Sequence, residues 1–116
     1  MKAKIYMKAT LPLFLYLLVF ASLPSYAAEN KHIVILETML IPVISEHTRW
    51  LSHYLDKMGY KVGESLDLEV LQANGDGELA ETLLVNSINK NKPDLVVSSA
   101  TLASKAAVKI LKGTDV

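Results

Sequence analysis

The chain has 116 residues, with twelve basic and twelve acidic side chains and no cysteine. This length allows one domain at most, and the lack of cysteine excludes disulfides, zinc–thiolate sites and a cysteine nucleophile. Every acidic residue lies at Glu29 or later, so residues 28–116 carry nine basic and twelve acidic side chains, a net charge of −3. This mild acidity argues against a nucleic-acid-binding protein, which needs a basic face.

The first segment has the pattern of a cleaved secretory signal peptide. Three lysines within the first eight residues precede an uncharged run of 13 residues at 11–23. Ser25 and Ala27 then supply the small residues of a cleavage site before Ala28. A helix of that length rises about 20 Å, too short for a hydrocarbon core of about 30 Å. We therefore predict a signal at residues 1–27 and a periplasmic mature chain, without a lipidated cysteine.

The remaining sequence is typical of three strand–helix units. The predicted strands are the β-branched or alternating runs at residues 32–37, 67–71 and 94–98. The predicted helices are the segments of helical period at residues 46–58, 78–89 and 101–112. Right-handed crossovers between such units predict an α/β fold. It is a three-layer open parallel sheet of order 2-1-3 with helices on both faces, a single Rossmann-like lobe.

Each predicted helix has one apolar stripe that we expect to face the sheet. In the first helix the stripe consists of Trp50, Leu51, Tyr54, Leu55 and Met58. In the second it consists of Ala80, Leu83, Leu84 and Ile88, and in the third of Leu102, Ala106, Val108 and Ile110. These positions, together with the strands, form the predicted core.

Ligands of open parallel sheets bind outside the carboxyl ends of the strands, at the point where the strand order reverses. Three predicted loops meet there, at residues 38–45, 72–77 and 98–101. In the last loop, free N–H groups at a helix start favour a carboxylate, with hydroxyls of Ser98, Ser99 and Thr101 as further donors. The favoured alternative is that Ser99 or Thr101 caps its own helix, and the two roles are compatible.

The loop at residues 72–77 contains Asn-Gly and Asp-Gly pairs, which are strong turn signals. It lacks the spaced acidic residues of a calcium loop and the third glycine of a dinucleotide fingerprint. We predict Asp76 as a helix cap, with Gln72 and Asn74 as donors to a ligand.

The histidines at positions 47 and 53 raise the question of catalysis. Arg49, His53 and Lys57 fall on the polar face of the first helix, so a solvated surface explains them, and only His47 lies near the expected ligand site. Ser45, His47 and Asp56 have neither the geometry of a triad nor a nucleophile elbow. We therefore expect no enzyme activity, no metal and no cofactor.

Four blocks of this sequence resemble a family of ABC-importer substrate-binding proteins with the type I periplasmic-binding fold, an uncharacterised group that includes aromatic amino-acid binders. The first block is the strand at residues 32–36, and the second, at 55–69, is similar to the pattern L-x-x-x-G-Y-x-x-G followed by a strand that ends in Glu69. Residues 73–76 resemble an A-Q-G-D turn, and residues 94–101 resemble D-L-I-V-A-x-G-T, with Thr101 on the family's threonine.

The resemblance implies that loops of two lobes close on a small solute and that the loaded protein docks on a membrane permease. By this comparison Ser99, Ala100 and Thr101 present N–H or hydroxyl groups to a carboxylate, while Thr38, Gln72 and Asn74 line the cleft. Three features depart from the family. Ala100 replaces a glycine, Trp50 and Tyr54 occupy helix positions that are commonly small, and residues 28–116 correspond to the N-terminal lobe only, ending before its fourth strand.

We therefore expect a truncated periplasmic solute-binding component that captures an amino acid or other carboxylate. The alternatives are a stand-alone periplasmic interaction or sensor module with a membrane partner, and a non-functional gene fragment. With no fourth strand beside it, the third strand is an apolar sheet edge, so we also expect self-association through that edge.

Overall fold

A computed structural model of the chain describes residues 29–116, so the predicted signal at 1–27 and its cleavage site lie outside the described residues. The elements in chain order are β1 (Lys31–Glu37), α1 (Pro42–Lys57), β2 (Leu66–Gln72), α2 (Gly77–Lys90), β3 (Leu95–Ser99) and α3 (Thr101–Leu111). None of the helices in this part of the chain is long and apolar enough to cross a bilayer.

The three strands form one parallel sheet in the order β2-β1-β3. β1 pairs with β2 from Lys31↔Leu66 to Glu37↔Gln72, and with β3 from Ile33↔Leu95 to Glu37↔Ser99. This arrangement confirms the predicted fold class, an open parallel α/β lobe of order 2-1-3. All three strands therefore end at one edge, which we call the carboxyl edge.

Both faces of the central strand β1 are buried. Val34 and Leu36 point to one face, where they pack with Leu84 of α2 and with three buried alanines of α3, namely Ala103, Ala106 and Ala107. Ile33 and Ile35 point to the other face, where Leu51 and Leu55 of α1 cover them in part. The run of apolar residues in β1 matches a strand covered on both sides.

Helix α1 differs from its prediction in start and in burial. It begins at Pro42, four residues earlier than expected, because proline is well suited to the first helical position. Trp50, Tyr54 and Met58 are 48%, 56% and 72% exposed, so the prediction that they are buried is wrong. The three-stranded sheet is narrower than the apolar arc of α1, and only the half with Leu51 and Leu55 reaches it.

Helix α3 buries only part of its predicted stripe, since Ala106 is buried and Ile110 packs against the core as predicted. Leu102 and Val108 are 42% and 68% exposed, whereas Ala103, Ala106 and Ala107 are buried. Alanines let α3 approach α2 and the sheet closely, and the larger side chains turn outward. In α2 the predicted stripe is correct, since Ala80 and Leu84 are buried and Leu83 and Ile88 are packed against the same core.

The carboxyl-terminal residues are tied back to the loop before β3. Lys92 forms an ion pair with Asp115, and this hydrogen-bonded ammonium lowers the pKa of the exposed Asp115 carboxyl below its usual value. Exposed pairs of this kind contribute little to stability.

Candidate functional site

The last side chains of the three strands form a row across the carboxyl edge. Glu37 of β1 lies between Gln72 of β2 and Ser99 of β3, and both are its direct partners in the parallel register. Side chains alternate along a strand, so Glu37 points to the same face as Ile35, where α1 packs. The row Gln72–Glu37–Ser99 therefore lies beside the start of α1.

Glu37 is the buried charge of this edge, with only 3% of the residue exposed. Its two carboxylate oxygens accept hydrogen bonds, one from the Thr48 hydroxyl of α1 and one from Gln72 Nε2 at 3.3 Å. Among residues 29–116 no lysine, arginine or histidine forms an ion pair with it. A buried carboxylate held by neutral donors alone retains unsatisfied affinity for a cationic group.

Glu37 was predicted only as the end of a strand and not as a site residue. A usable signal was present. A charged residue that closes an otherwise apolar central strand must lie at the carboxyl edge of a parallel sheet, where ligands of this fold class bind.

The loop after β2 is fastened to the end of β1. The backbone N–H of Ala73 donates to the Glu37 carbonyl at 2.8 Å, and that of Gly75 donates to the Thr38 carbonyl. Gln72 Oε1 accepts from the Asn74 backbone N–H at 3.2 Å. Asn74 and Gly75 have φ values of 50° and 83°, which suit the Asn-Gly turn that the sequence indicated. Gln72 is half-buried in the row, and Asn74 is exposed at its rim.

Thr38 lies at the carboxyl edge but is only 1% exposed. Its hydroxyl oxygen is buried and has no hydrogen-bond partner within the described residues. Thr38 is therefore buried beneath the carboxyl edge, and its hydroxyl does not reach the surface of the cleft.

The start of α3 has no side-chain cap. The N-cap residue is Ala100, so neither Ser99 nor Thr101 caps the helix, and the favoured alternative of the sequence analysis is wrong. The Ala100 carbonyl accepts from the Ser104 backbone N–H and from the Ser104 hydroxyl, both at 3.0 Å. The Ser104 hydroxyl also contacts the Ser98 hydroxyl at 3.1 Å. The N–H groups of the first turn thus receive no acceptor from a capping side chain.

Helix α2 provides the contrast at the same edge. One oxygen of the Asp76 carboxylate accepts from the backbone N–H groups of Glu78 and Leu79, at 2.9 and 3.1 Å. The prediction that Asp76 is a helix cap is confirmed. At the start of α2 the Asp76 side chain thus accepts from the free backbone N–H groups, whereas at the start of α3 no side chain does so, and those N–H groups are available to another acceptor.

Ala100 itself has an unusual backbone, with φ of 75° and ψ of 164°. This region is used almost only by glycine, because a Cβ atom crowds the neighbouring peptide there. Ala100 and Thr101 are both exposed, whereas Ser99 is half-buried in the row with Glu37. His47, the remaining candidate, is exposed on α1.

A second polar cluster lies at the opposite edge of the sheet. His32 is buried, with Nε2 3.4 Å from the Glu69 carboxylate and 3.8 Å from that of Asp67, and the Ser87 hydroxyl donates to Glu69 at 2.6 Å. A cavity of about 310 Å³ adjoins these residues beside Lys90. The Ser87 hydroxyl contacts Glu69 and not His32, so these side chains do not have the serine–histidine–carboxylate arrangement of a catalytic triad. No group of three or more metal-ligating side chains within residues 29–116 is arranged to hold a metal ion.

Comparison with known proteins adds a likeness of fold. No family model and no curated protein matches the sequence. A solved structure of a conserved domain protein from Vibrio cholerae is similar, with a TM-score of 0.67 and 22% sequence identity. The similarity covers 71% of this chain and 27% of that one, so the chain matches about a quarter of the length of that protein. The strand topology and this similarity define the fold class of the chain, an open parallel α/β lobe.

Proposed function

We propose that the chain is a solute-binding lobe of the kind that serves ABC importers in the periplasm, and that its carboxyl edge is one wall of the cleft. The observation that carries the proposal is the uncapped start of α3 at the carboxyl edge, where the strand order reverses and where β1 ends in the buried Glu37. The similarity of residues 55–69 and 94–101 to the substrate-binding family supports it independently.

These two groups favour a ligand with charges of both signs. Backbone N–H groups at the start of α3 attract a carboxylate, and the hydroxyls of Ser99 and Thr101 are adjacent donors. Glu37 lies on the neighbouring strand and is held by neutral partners only, so an amine reaches its buried carboxylate where the Gln72 side chain moves aside. Gln72 and Asn74 supply amide groups between the loops. An amino acid has both charged groups, and its capture requires no bond to be broken.

A single lobe supplies one wall of the cleft and should bind a solute weakly. Pockets of small ligands cover about 70–90% of the ligand surface, and a single lobe leaves most of the far side in water. We therefore expect millimolar affinity for the chain by itself, and tight binding only when a second lobe closes the cleft. The closed, loaded protein then delivers the solute to a membrane permease.

The test is a titration of the isotopically labelled chain with a panel of amino acids at millimolar concentration, followed by nuclear magnetic resonance. Amide signals of residues 99–102 and of Glu37 should shift with at least one member of the panel. Thr101→Ala should weaken that binding by roughly 0.5–1.5 kcal/mol, the net value of one hydrogen bond.

Thr82→Ala is the matched control, because Thr82 is also an exposed helical threonine and its hydroxyl bonds only to the Glu78 carbonyl of its own helix. It should leave the affinity unchanged. Equal effects of the two variants, or a panel that moves no signal at the carboxyl edge, would contradict the proposal.

The alternative is a stand-alone interaction or sensor module, and the exposed side of α1 favours it. Trp50, His53 and Tyr54 form an aromatic cluster of edge-to-face and tilted pairs at centroid distances of 5.8–6.1 Å, with the Arg49 guanidinium 5.6 Å from the Trp50 ring. Tryptophan, tyrosine and arginine are enriched in protein interfaces. Under this alternative, a photo-crosslinker at position 50 captures a membrane protein while amino acids leave the carboxyl edge unchanged.

A further inference from the structure

The Gln72 side chain joins the end of β1 to the loop after β2 through a hydrogen bond at each end of its amide group. Its Nε2 donates to Glu37 Oε2 at 3.3 Å, and its Oε1 accepts from the Asn74 backbone N–H at 3.2 Å. These partners fix the orientation of the amide, because an ionised carboxylate only accepts and a backbone N–H only donates. A neutral donor therefore occupies the position on Glu37 at which an amine would bind.

The two hydrogen bonds that the Glu37 side chain accepts are not held equally. The Thr48 hydroxyl lies on a short side chain that is fixed by helix α1. Gln72 has a longer, half-buried side chain, and its bond to Glu37 exceeds the usual N–H···O range of about 2.7–3.2 Å. Gln72 is therefore the partner of Glu37 that exchanges more readily.

The loop after β2 stays fastened when the Gln72 side chain turns away. The Ala73 N–H donates to the Glu37 carbonyl at 2.8 Å, and the Gly75 N–H donates to the Thr38 carbonyl. Neither of these backbone bonds involves the Gln72 side chain. The Asn74 N–H loses its acceptor, but Asn74 is exposed, so water can take that place. The exchange is therefore a rotation of one side chain that leaves no buried donor unpaired.

An ammonium group is a stronger partner for Glu37 than a neutral amide is. Glu37 is 3% exposed, and opposite charges attract more strongly in such surroundings than in bulk water. Within residues 29–116 it forms no ion pair with a basic side chain, so a cation also neutralises an uncompensated buried charge. A neutral hydroxyl brings no charge and gains little over the bond that it replaces.

On the basis of the solute site proposed above, we propose that the Gln72 side chain competes with the ligand for Glu37 and makes the site selective for charged amines. A ligand with an ammonium group displaces Gln72, whereas a neutral donor of similar size does not. The apparent dissociation constant is raised because only the molecules in which Gln72 has turned away can bind the amine. Gln72 thus lowers the affinity of the site and at the same time sets its specificity.

The experiment is a titration of the isotopically labelled chain with methylammonium chloride, followed by nuclear magnetic resonance, with sodium chloride as the salt control. Gln72 is the one glutamine of the sequence, so labelling of glutamine side chains isolates its amide signals. These signals and the backbone amide signal of Asn74 should shift with methylammonium, because both groups lose their partner. Methanol, a neutral molecule of similar size, should leave them in place.

Gln72→Ala removes the competitor and should lower the dissociation constant of methylammonium roughly 2- to 10-fold, the equivalent of one hydrogen bond. In this variant the backbone amide signals of Glu37 and Asn74 report binding. Gln72→Met keeps the length of the side chain without its donor and should act in the same direction. Asn86→Ala is the matched control, since Asn86 is an exposed amide residue on α2, and it should leave the constant unchanged.

The outcomes separate this competition from the proposed solute function. No shift with methylammonium, equal shifts with methanol, or weaker binding in both Gln72 variants overturns the competition. If methylammonium displaces Gln72 while no amino acid of the panel moves a signal at the carboxyl edge, the competition holds and the solute function fails. If amino acids bind and both Gln72 variants weaken them, the solute function holds and the competition fails.

Discussion

Ala100 has a backbone conformation that destabilises the fold at the entrance of the candidate site. With φ of 75° and ψ of 164°, an alanine pays on the order of 1–3 kcal/mol that a glycine does not. The residue nonetheless aims the first turn of α3 toward the carboxyl edge.

Ala100→Gly should therefore stabilise the chain. We expect an increase in the free energy of unfolding of about 1 kcal/mol or more, because relief of strain outweighs the larger backbone entropy of glycine in the unfolded chain. Urea denaturation followed by circular dichroism measures it.

Ala107→Gly is the control for Ala100→Gly. Ala107 lies in the interior of the same helix, where glycine should destabilise by about 1 kcal/mol. A loss of stability in both variants would show that Ala100 is not strained.

The caps show where residue-level prediction succeeds and where it fails. Asp76 immediately precedes α2, which is the geometry that a cap requires, and its role was predictable from type and position. Ser99 and Thr101 have the right chemistry, but the N-cap position lies between them and belongs to Ala100. A shift of one residue decides the outcome, and helix boundaries are rarely known that closely from sequence.

At the scale of elements, the helices differ in how firmly they are held. Ile44 is the one buried residue of α1, whereas α2 buries Ala80, Leu84 and Ser87. Leu51 of α1 is only partly covered. Helices of this length depend on packing for most of their stability, so α1 is the loosest of the three.

The same substitution in two helices tests this difference. Leu84→Ala should lower the free energy of unfolding by about 2–5 kcal/mol, because Leu84 is fully buried and leaves a cavity. Leu51→Ala should lower it by about 1 kcal/mol, since part of its surface is already in water. Denaturant titration compares the two, and equal losses would contradict the account of α1.

Topology was easier to predict than burial. The strands were located to within one residue because β-branched runs bounded by turn residues leave few alternatives, and the order 2-1-3 is the economical arrangement of right-handed crossovers with helices on both faces. Burial of Trp50, Tyr54, Leu102 and Val108 was predicted wrongly because periodicity gives the apolar arc of a helix but not the width of the surface that covers it. That width is a property of the assembled sheet.

For the whole molecule, the first test concerns export. A chain expressed in a Gram-negative host should be recovered from the periplasm beginning at Ala28, within one or two residues, because residues 1–27 fit a cleaved signal. Intact-mass spectrometry of the periplasmic fraction measures the new terminus. Recovery of the uncleaved chain from the inner membrane would contradict the prediction.

The central position of β1 also fixes the order in which the sheet can assemble during synthesis. Glu37 contacts Gln72, 35 residues later, and His32 contacts Asp94, 62 residues later. The first strand to be synthesised, β1, therefore pairs with two strands that are synthesised later, and contacts between residues so far apart in sequence slow folding. Until β3 has been synthesised, local contacts can form helical turns but no complete sheet. The sheet is therefore complete only after β3 has been made, which suits the export before folding that we predict for this chain.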